Sequence, residues 1–215
     1  TSVTTATSGI EFTDTTIDGM TRASMLIQEN NATSNVTYDG VINSDLTGSA
    51  GVVSPLLVIR ENQGTNTFDI ATGNPPAGSL ITANSLSDNS GEGIIIQENF
   101  DDNEIDLGNI SLTNTVDQGI YVFNDSSELR IRSDGGSGIV RNTSGAGILV
   151  ANPTTGIPNV EYFGTIEQDA TGGAPGYILH AVDIADAAGK ITLTGPGATP
   201  FTGTGDGFLI QRVNG

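Results

Sequence analysis

The chain has 215 residues, with 25 Asp and Glu against 7 Lys and Arg, and its formal net charge of −18 repels nucleic acid and anionic lipid headgroups. Cysteine is absent and His180 is the single histidine, which excludes a disulfide framework, a thiolate metal site and a multi-histidine metal site. With 29 Gly, 5% aromatics and abundant Ser, Thr, Asn and Asp, the composition is that of many short strands joined by many turns.

Taken in chain order, the first patterned segment is Ile10-Glu11-Phe12, apolar on both sides of a polar residue. Met25-Leu26-Ile27 follows, three apolar residues leading into Gln28-Glu29-Asn30, and then Val36-Thr37-Tyr38 and Val41-Ile42. The same succession returns along the chain. The triple-apolar motif recurs as Leu57-Val58-Ile59, Ile94-Ile95-Ile96, Ile120-Tyr121-Val122, Ile148-Leu149-Val150, Tyr177-Ile178-Leu179 and Phe208-Leu209-Ile210. Its third residues are spaced by 32, 37, 26, 28, 29 and 31 positions, and a period of this size without helical patterning is the signature of a solenoid.

Between these copies lie Phe68-Asp69-Ile70, Ile105-Asp106-Leu107, Leu129-Arg130-Ile131, Val160-Glu161-Tyr162 and Ile191-Thr192-Leu193. Each alternates apolar, polar, apolar, as a half-buried strand does. A third, less regular set follows at Leu80-Ile81, Ile110-Ser111-Leu112, Ile139-Val140, Thr165-Ile166 and Phe201. Gly- and Pro-rich clusters between the strands reverse the chain. Three strands per period predict an all-β fold: a right-handed parallel β-helix, a three-sided β-solenoid of about seven coils forming one domain over 1–215. No capping helix is seen at either end, and the chain opens on Thr1. The expectation is either a piece excised from a longer solenoid or a subunit that stacks head to tail, advancing roughly 34 Å per copy from the strand spacing.

Alternation also sorts residues by direction. If the first and third apolar residues of the repeated motif point inward, the middle ones point out, which gives an outer stripe of Leu26, Val58, Ile95, Tyr121, Leu149, Ile178 and Leu209. The matching outward residues of the second strand are Thr37, Asp69, Asp106, Arg130, Glu161 and Thr192, all polar. An apolar column of that length marks a surface for self-association or for a surface protein or glycan.

The residues after the stripe carry the remaining candidates. Asn30, Asn62 and Asn99 hold equivalent corners, where their amides stack as a ladder and where Asn tolerates the left-handed backbone. Glu29, Glu61 and Glu98 stand beside them, with Arg60 placed between Gln28 and Gln97 to relieve their repulsion. The oxygens of Asp101, Asp102 and Glu104 form a candidate Ca²⁺ site, the one cofactor for which a donor set is apparent. For catalysis the sequence offers little. His180 lacks a nucleophile motif, and Arg130 and Arg132 near Asp134 show no matching carboxylate pair on a neighbouring coil, so no enzyme is expected. Sequons at Asn31, Asn35, Asn109, Asn124 and Asn142 are no more frequent than this composition produces.

Gly119-Ile120-Tyr121-Val122, Gly147-Ile148-Leu149-Val150 and Phe163-Gly164-Thr165-Ile166-Glu167 resemble the coil motifs of bacterial surface β-helices, the autotransporter passengers and filamentous-haemagglutinin-like exoproteins. That resemblance implies a secreted right-handed β-helix, extracellular or on the cell surface, used for adhesion or display without membrane insertion. A carbohydrate-active β-helix, binding module or polysaccharide lyase or hydrolase, is the alternative.

Overall fold

The computed structural model describes residues 8–17, 25–31, 33–44, 55–70, 80–83, 93–108, 110–113, 118–132, 138–141, 146–151, 159–168, 182–185, 190–194, 201–203 and 208–211. Among them every regular element is a strand, and every strand pairing is parallel. No helix among the described residues is long and apolar enough to cross a membrane.

A seven-stranded sheet collects the repeated triple-apolar motif: β2 (Met25–Gln28), β4 (Leu57–Arg60), β7 (Ile94–Gln97), β10 (Ile120–Phe123), β13 (Ile148–Ala151), β15 (Val182–Ala185) and β18 (Phe208–Gln211), side by side in chain order. One member differs from the sequence expectation. The strand beside β13 is Val182–Ala185, with Ile148 opposite Val182 and Leu149 opposite Asp183. Tyr177-Ile178-Leu179 lies outside the described residues. In sequence Val182-Asp183-Ile184 is apolar, polar, apolar, the alternation of a half-buried strand. A search for three consecutive apolar residues passes over it.

The second sheet has eleven strands and joins the other two predicted faces. One row runs through β1 (Ser8–Ile17), β3 (Ser34–Ser44), β5 (Asn66–Ile70), β8 (Glu104–Gly108), β11 (Glu128–Arg132), β14 (Asn159–Gln168) and β16 (Lys190–Thr194). A second row contains β6 (Leu80–Ala83), β9 (Ile110–Thr113), β12 (Gly138–Arg141) and β17 (Phe201–Gly203). The long strands β3 and β14 belong to both rows. The first half of β3 pairs with β5 and its second half with β6, and β14 divides in the same way between β11 and β12. The two rows therefore form one sheet. Along β1 the register slips by one residue at Asp14, a bulge that bends the strand.

The inner faces of both sheets close on one apolar core. Ile59, Phe68, Ile94, Ile96, Ile105, Leu107, Leu112, Ile120, Val122, Leu129, Ile148, Val150 and Val160 are fully enclosed. Burial alternates along β5, β7, β8, β10 and β13 with a period of two, so the pattern read from the sequence is what positions the outer side chains. Gly93, at the entry to β7, marks a close approach. A Cβ there would stand 2.7 Å from the Gly119 carbonyl oxygen, the same oxygen that accepts the Ile94 N–H at 2.9 Å.

Candidate functional site

The outer face of the seven-stranded sheet brings most of the predicted stripe into register. Leu26 stands opposite Val58, Val58 opposite Ile95, Ile95 opposite Tyr121 and Tyr121 opposite Leu149. Leu26 is 49% exposed, whereas Ile95, Tyr121 and Leu149 are half-buried. Val58, the shortest member, sits between the longer Leu26 and Ile95 and is buried. The stripe does not continue as predicted. Ile178 lies outside the described residues, and the register place between Leu149 and Leu209 belongs to Asp183. A second outward column adds Phe123, whose ring centroid is 5.7 Å from that of Tyr121, together with Gln97 and Ala151 in register with it.

After β2, β4, β7 and β10 the chain turns a corner, and these corners are built on a hydrogen-bonded ladder. The Asn30 Nδ2 donates to Asn62 Oδ1 at 2.7 Å, Asn62 Nδ2 to Asn99 Oδ1 at 2.7 Å, and Asn99 Nδ2 to Asp125 Oδ2 at 2.6 Å. The backbone N–H of each donor residue reaches the same oxygen, at 3.1, 3.3 and 3.0 Å. Asn62, Asn99 and Asp125 are fully buried. The three asparagines are those singled out from the sequence, but Asp125 is not. Counting two residues past the strand end finds it, since Asp125 follows Phe123 as Asn99 follows Gln97.

The expected backbone role of these asparagines is corrected. The left-handed residues are the ones just before them, Glu29, Glu61 and Glu98 with φ of 57°, 56° and 54°, and Asn124 with φ of 47°. Glutamate in this region is strained by roughly 1–2 kcal/mol, and the ladder's bonds hold it there. Arg60 lies in register between Gln28 and Gln97, donates from Nη2 to Gln28 Oε1 at 3.0 Å and stands 3.7 Å from the Glu61 carboxylate.

A second ladder, absent from the sequence reading, runs beside the first. Ser34 Oγ donates to Asn66 Oδ1 and Asn66 Nδ2 to Asn103 Oδ1, both at 2.6 Å, and Asn103 Nδ2 crosses to the Asn62 carbonyl at 3.2 Å. Its signal was positional. Ser34, Asn66 and Asn103 each stand two residues before the first inward residue of their strand, Val36, Phe68 and Ile105.

On the outer side of the eleven-stranded sheet, Thr37, Asp69, Asp106, Arg130, Glu161 and Thr192 form one register column, as predicted. Arg130 is the centre of an acidic group. It donates to Glu104 and, at 2.6 Å, to Glu128, and stands 3.8 Å from Asp106. In the sequence alone no carboxylate pair is apparent on a coil adjacent to Arg130. The register supplies one, because Glu104 and Asp106 face Glu128 and Arg130 across the β8–β11 pairing. Asp69 stands opposite Asp106, and burial pushes its carboxyl above the ordinary range.

Two residues of the candidate Ca²⁺ site have other partners. Glu104 is engaged by Arg130, and Asp101 Oδ2 accepts the Gly64 N–H at 3.1 Å, while Asp101 and Asp102 are exposed in the turn. Among the described residues no three His, Cys, Asp or Glu side chains come close enough to hold a metal ion. His180 and Asp134 lie outside the described residues. No family model, curated protein or solved structure matches this chain.

Proposed function

We propose that the chain is a right-handed parallel β-helix of about seven coils, a single domain over 1–215, that serves outside the cell or on its surface as a structural and adhesive element. The observation that carries this reading is the outer face of the seven-stranded sheet. In a chain of net charge −18, the column Leu26, Ile95, Tyr121 and Leu149, with Phe123 against Tyr121, is free of charge across its middle strands. Uncharged apolar faces of this kind support contact with a surface protein, a glycan or another copy. The resemblance of its coil motifs to autotransporter passengers and filamentous-haemagglutinin-like exoproteins supports the same reading.

The test is a double substitution, Ile95→Lys with Leu149→Lys. Both side chains are half-buried on the outer side, so the fold is expected to survive while association, with itself or with cell-surface material, is lost. Undiminished association in the folded variant would remove the proposal.

A second reading has its own support. Arg130 flanked by Glu104, Asp106 and Glu128, with Asp69 one strand further, is the kind of paired-carboxylate face a polysaccharide-cleaving β-helix needs. Release of reducing ends from a panel of neutral and acidic polysaccharides supports that reading, and its absence supports adhesion.

A further inference from the structure

The outermost strands leave apolar and polar groups unmet. In the described pairings β1 meets only β3 and β2 only β4, while at the other end β16 meets only β14 and β18 only β15. Ile10 and Phe12 of β1 stand in register with Val36 and Tyr38, on the side where Phe68, Ile70, Ile105 and Leu107 have no exposure. Ile10 is nevertheless 55% and Phe12 44% exposed, and Leu26 of β2 is 49% exposed. The corner ladder is also unfinished at this end. Asn62 Oδ1 takes two donors from Asn30, and Asn99 Oδ1 two from Asn62, but among the described residues no donor reaches Asn30 Oδ1.

We propose that copies of this chain join head to tail, β16 and β18 of one copy pairing in parallel with β1 and β2 of the next, so that both sheets and the core continue across the junction. Following the register columns from strand to strand assigns the pairs. Ile191 falls opposite Ile10, Thr192 opposite Glu11 and Leu193 opposite Phe12. Phe208, Leu209, Ile210 and Gln211 fall opposite Met25, Leu26, Ile27 and Gln28. Apolar residues meet apolar residues, and amide meets amide.

Charge and hydrogen-bond polarity favour this partner. In a chain of net charge −18, these pairs set no two like charges opposite one another, and Lys190 falls opposite Gly9, two residues from Glu11. Two copies joined antiparallel through β1, with Ile10 against Phe12, would set Glu11 against Glu11. Each rung of the ladder gives its backbone N–H to the oxygen of the next, and only a strand parallel to β2 turns its own corner over Asn30. Val213 stands two residues past Gln211, as Asn30 stands two past Gln28, and carries the N–H that place requires. The junction forms by mass action, so in dilute solution the copies part and β1 and β2 are outermost again. It uses strand edges and does not rest on the role proposed for the outer face.

The chain has no cysteine, so a directed disulfide tests the junction. Glu11 is exposed and Thr192 half-buried, and a strand spacing of about 4.8 Å suits a disulfide between opposite residues. Within one copy the two positions lie six strand pairings apart, roughly 29 Å, so no internal bridge forms. Concentrated chain carrying Glu11→Cys with Thr192→Cys, mildly oxidised, is expected to run as a series of linked multimers on a non-reducing gel. Either substitution alone is expected to leave the chain unlinked. The series should persist when Ile95→Lys and Leu149→Lys are added, which separates this junction from association through the outer face. A doubly substituted chain that stays unlinked, or Glu11→Cys alone linking as readily into dimers, overturns the proposal. Should the substituted chain fail to fold, sedimentation of the unmodified chain decides: mass growing with concentration, undiminished by Ile95→Lys with Leu149→Lys, supports the junction, and a single species at every concentration overturns it.

Discussion

Asn62 shows how much a single side chain carries at the corner. Its oxygen takes two donors from Asn30, and its nitrogen reaches Asn99 Oδ1 at 2.7 Å and the Ile27 carbonyl at 3.5 Å. It has no solvent exposure, so water cannot replace a lost partner. Asn62→Ala is therefore expected to destabilise by about 2–4 kcal/mol, the cost of leaving several buried polar groups unmet. Asn30 gives bonds but is only part-buried at the ladder's edge, and Asn30→Ala is expected to cost about 1 kcal/mol. Urea unfolding midpoints measure both, and equal losses would mean that the ladder has no interior. The asparagines were legible in the sequence because the residue type repeats after the same motif. Asp125 was not, since it changes type and its own motif ends in Phe123-Asn124 rather than Gln-Glu. The identity of the left-handed residue was misread for a physical reason. Asn is the residue that tolerates that backbone best when isolated, but here the asparagine is needed one position later for its amide, and glutamate is held in the strained place.

At the scale of an element, β11 depends on its neighbours for electrostatic balance. Glu128 and Arg130 face Glu104 and Asp106 of β8 on one side, and Arg130 faces Glu161 of β14 on the other. Like charges at the strand spacing repel by roughly 1 kcal/mol even in water-like dielectric. Arg130, 22% exposed at its side chain, offsets several such pairs at once. Arg130→Gln is expected to destabilise by about 1–2 kcal/mol at low ionic strength, and the loss should shrink in molar salt, where the screening length falls to about 3 Å. A loss independent of salt would assign the role of Arg130 to packing of its stem instead. The column itself was legible from the alternation, because alternation fixes which residues point outward. Its pairing across strands was not. Whether Arg130 meets Asp106 depends on register, and the connections between successive strands vary in length, so counting residues does not supply it. The same limit hid β15, where Asp183 takes the register place beside Leu149 that the apolar pattern assigned elsewhere.

For the whole molecule, the parallel array and its enclosed core follow directly from the repeat. The merging of two predicted faces into one sheet does not, because β3 and β14 continue unbroken where the sequence shows a turn signal, Asp39-Gly40, or little signal at all. In such an array each strand leans on the strands immediately beside it, so stability is distributed by position rather than shared evenly. The middle strands have neighbours on both sides: β7 lies between β4 and β10, β10 between β7 and β13, and Ile94, Ile96, Ile120 and Val122 have no exposure. In the described pairings β1 meets only β3 and β2 only β4. Ile10 and Phe12 of β1 are 55% and 44% exposed, although they stand in register with Val36 and Tyr38 on the core side. Opening at β1 therefore exposes little that is not already wet, opening at β2 uncovers Met25 and Ile27, and opening at β7 and β10 uncovers core on two sides. Native-state hydrogen exchange should resolve this as a gradient, with the amides of β7 and β10 protected on the order of 100-fold more than those of β1. If every strand exchanged at one common rate, the array would be unfolding as a single unit, and the nearest-neighbour account of its stability would fail. A gradient restricted to β1 alone, with β2 as protected as β7, would instead mean that the buried Met25 and Ile27 hold β2 as firmly as the middle strands are held, although Leu26 between them is 49% exposed.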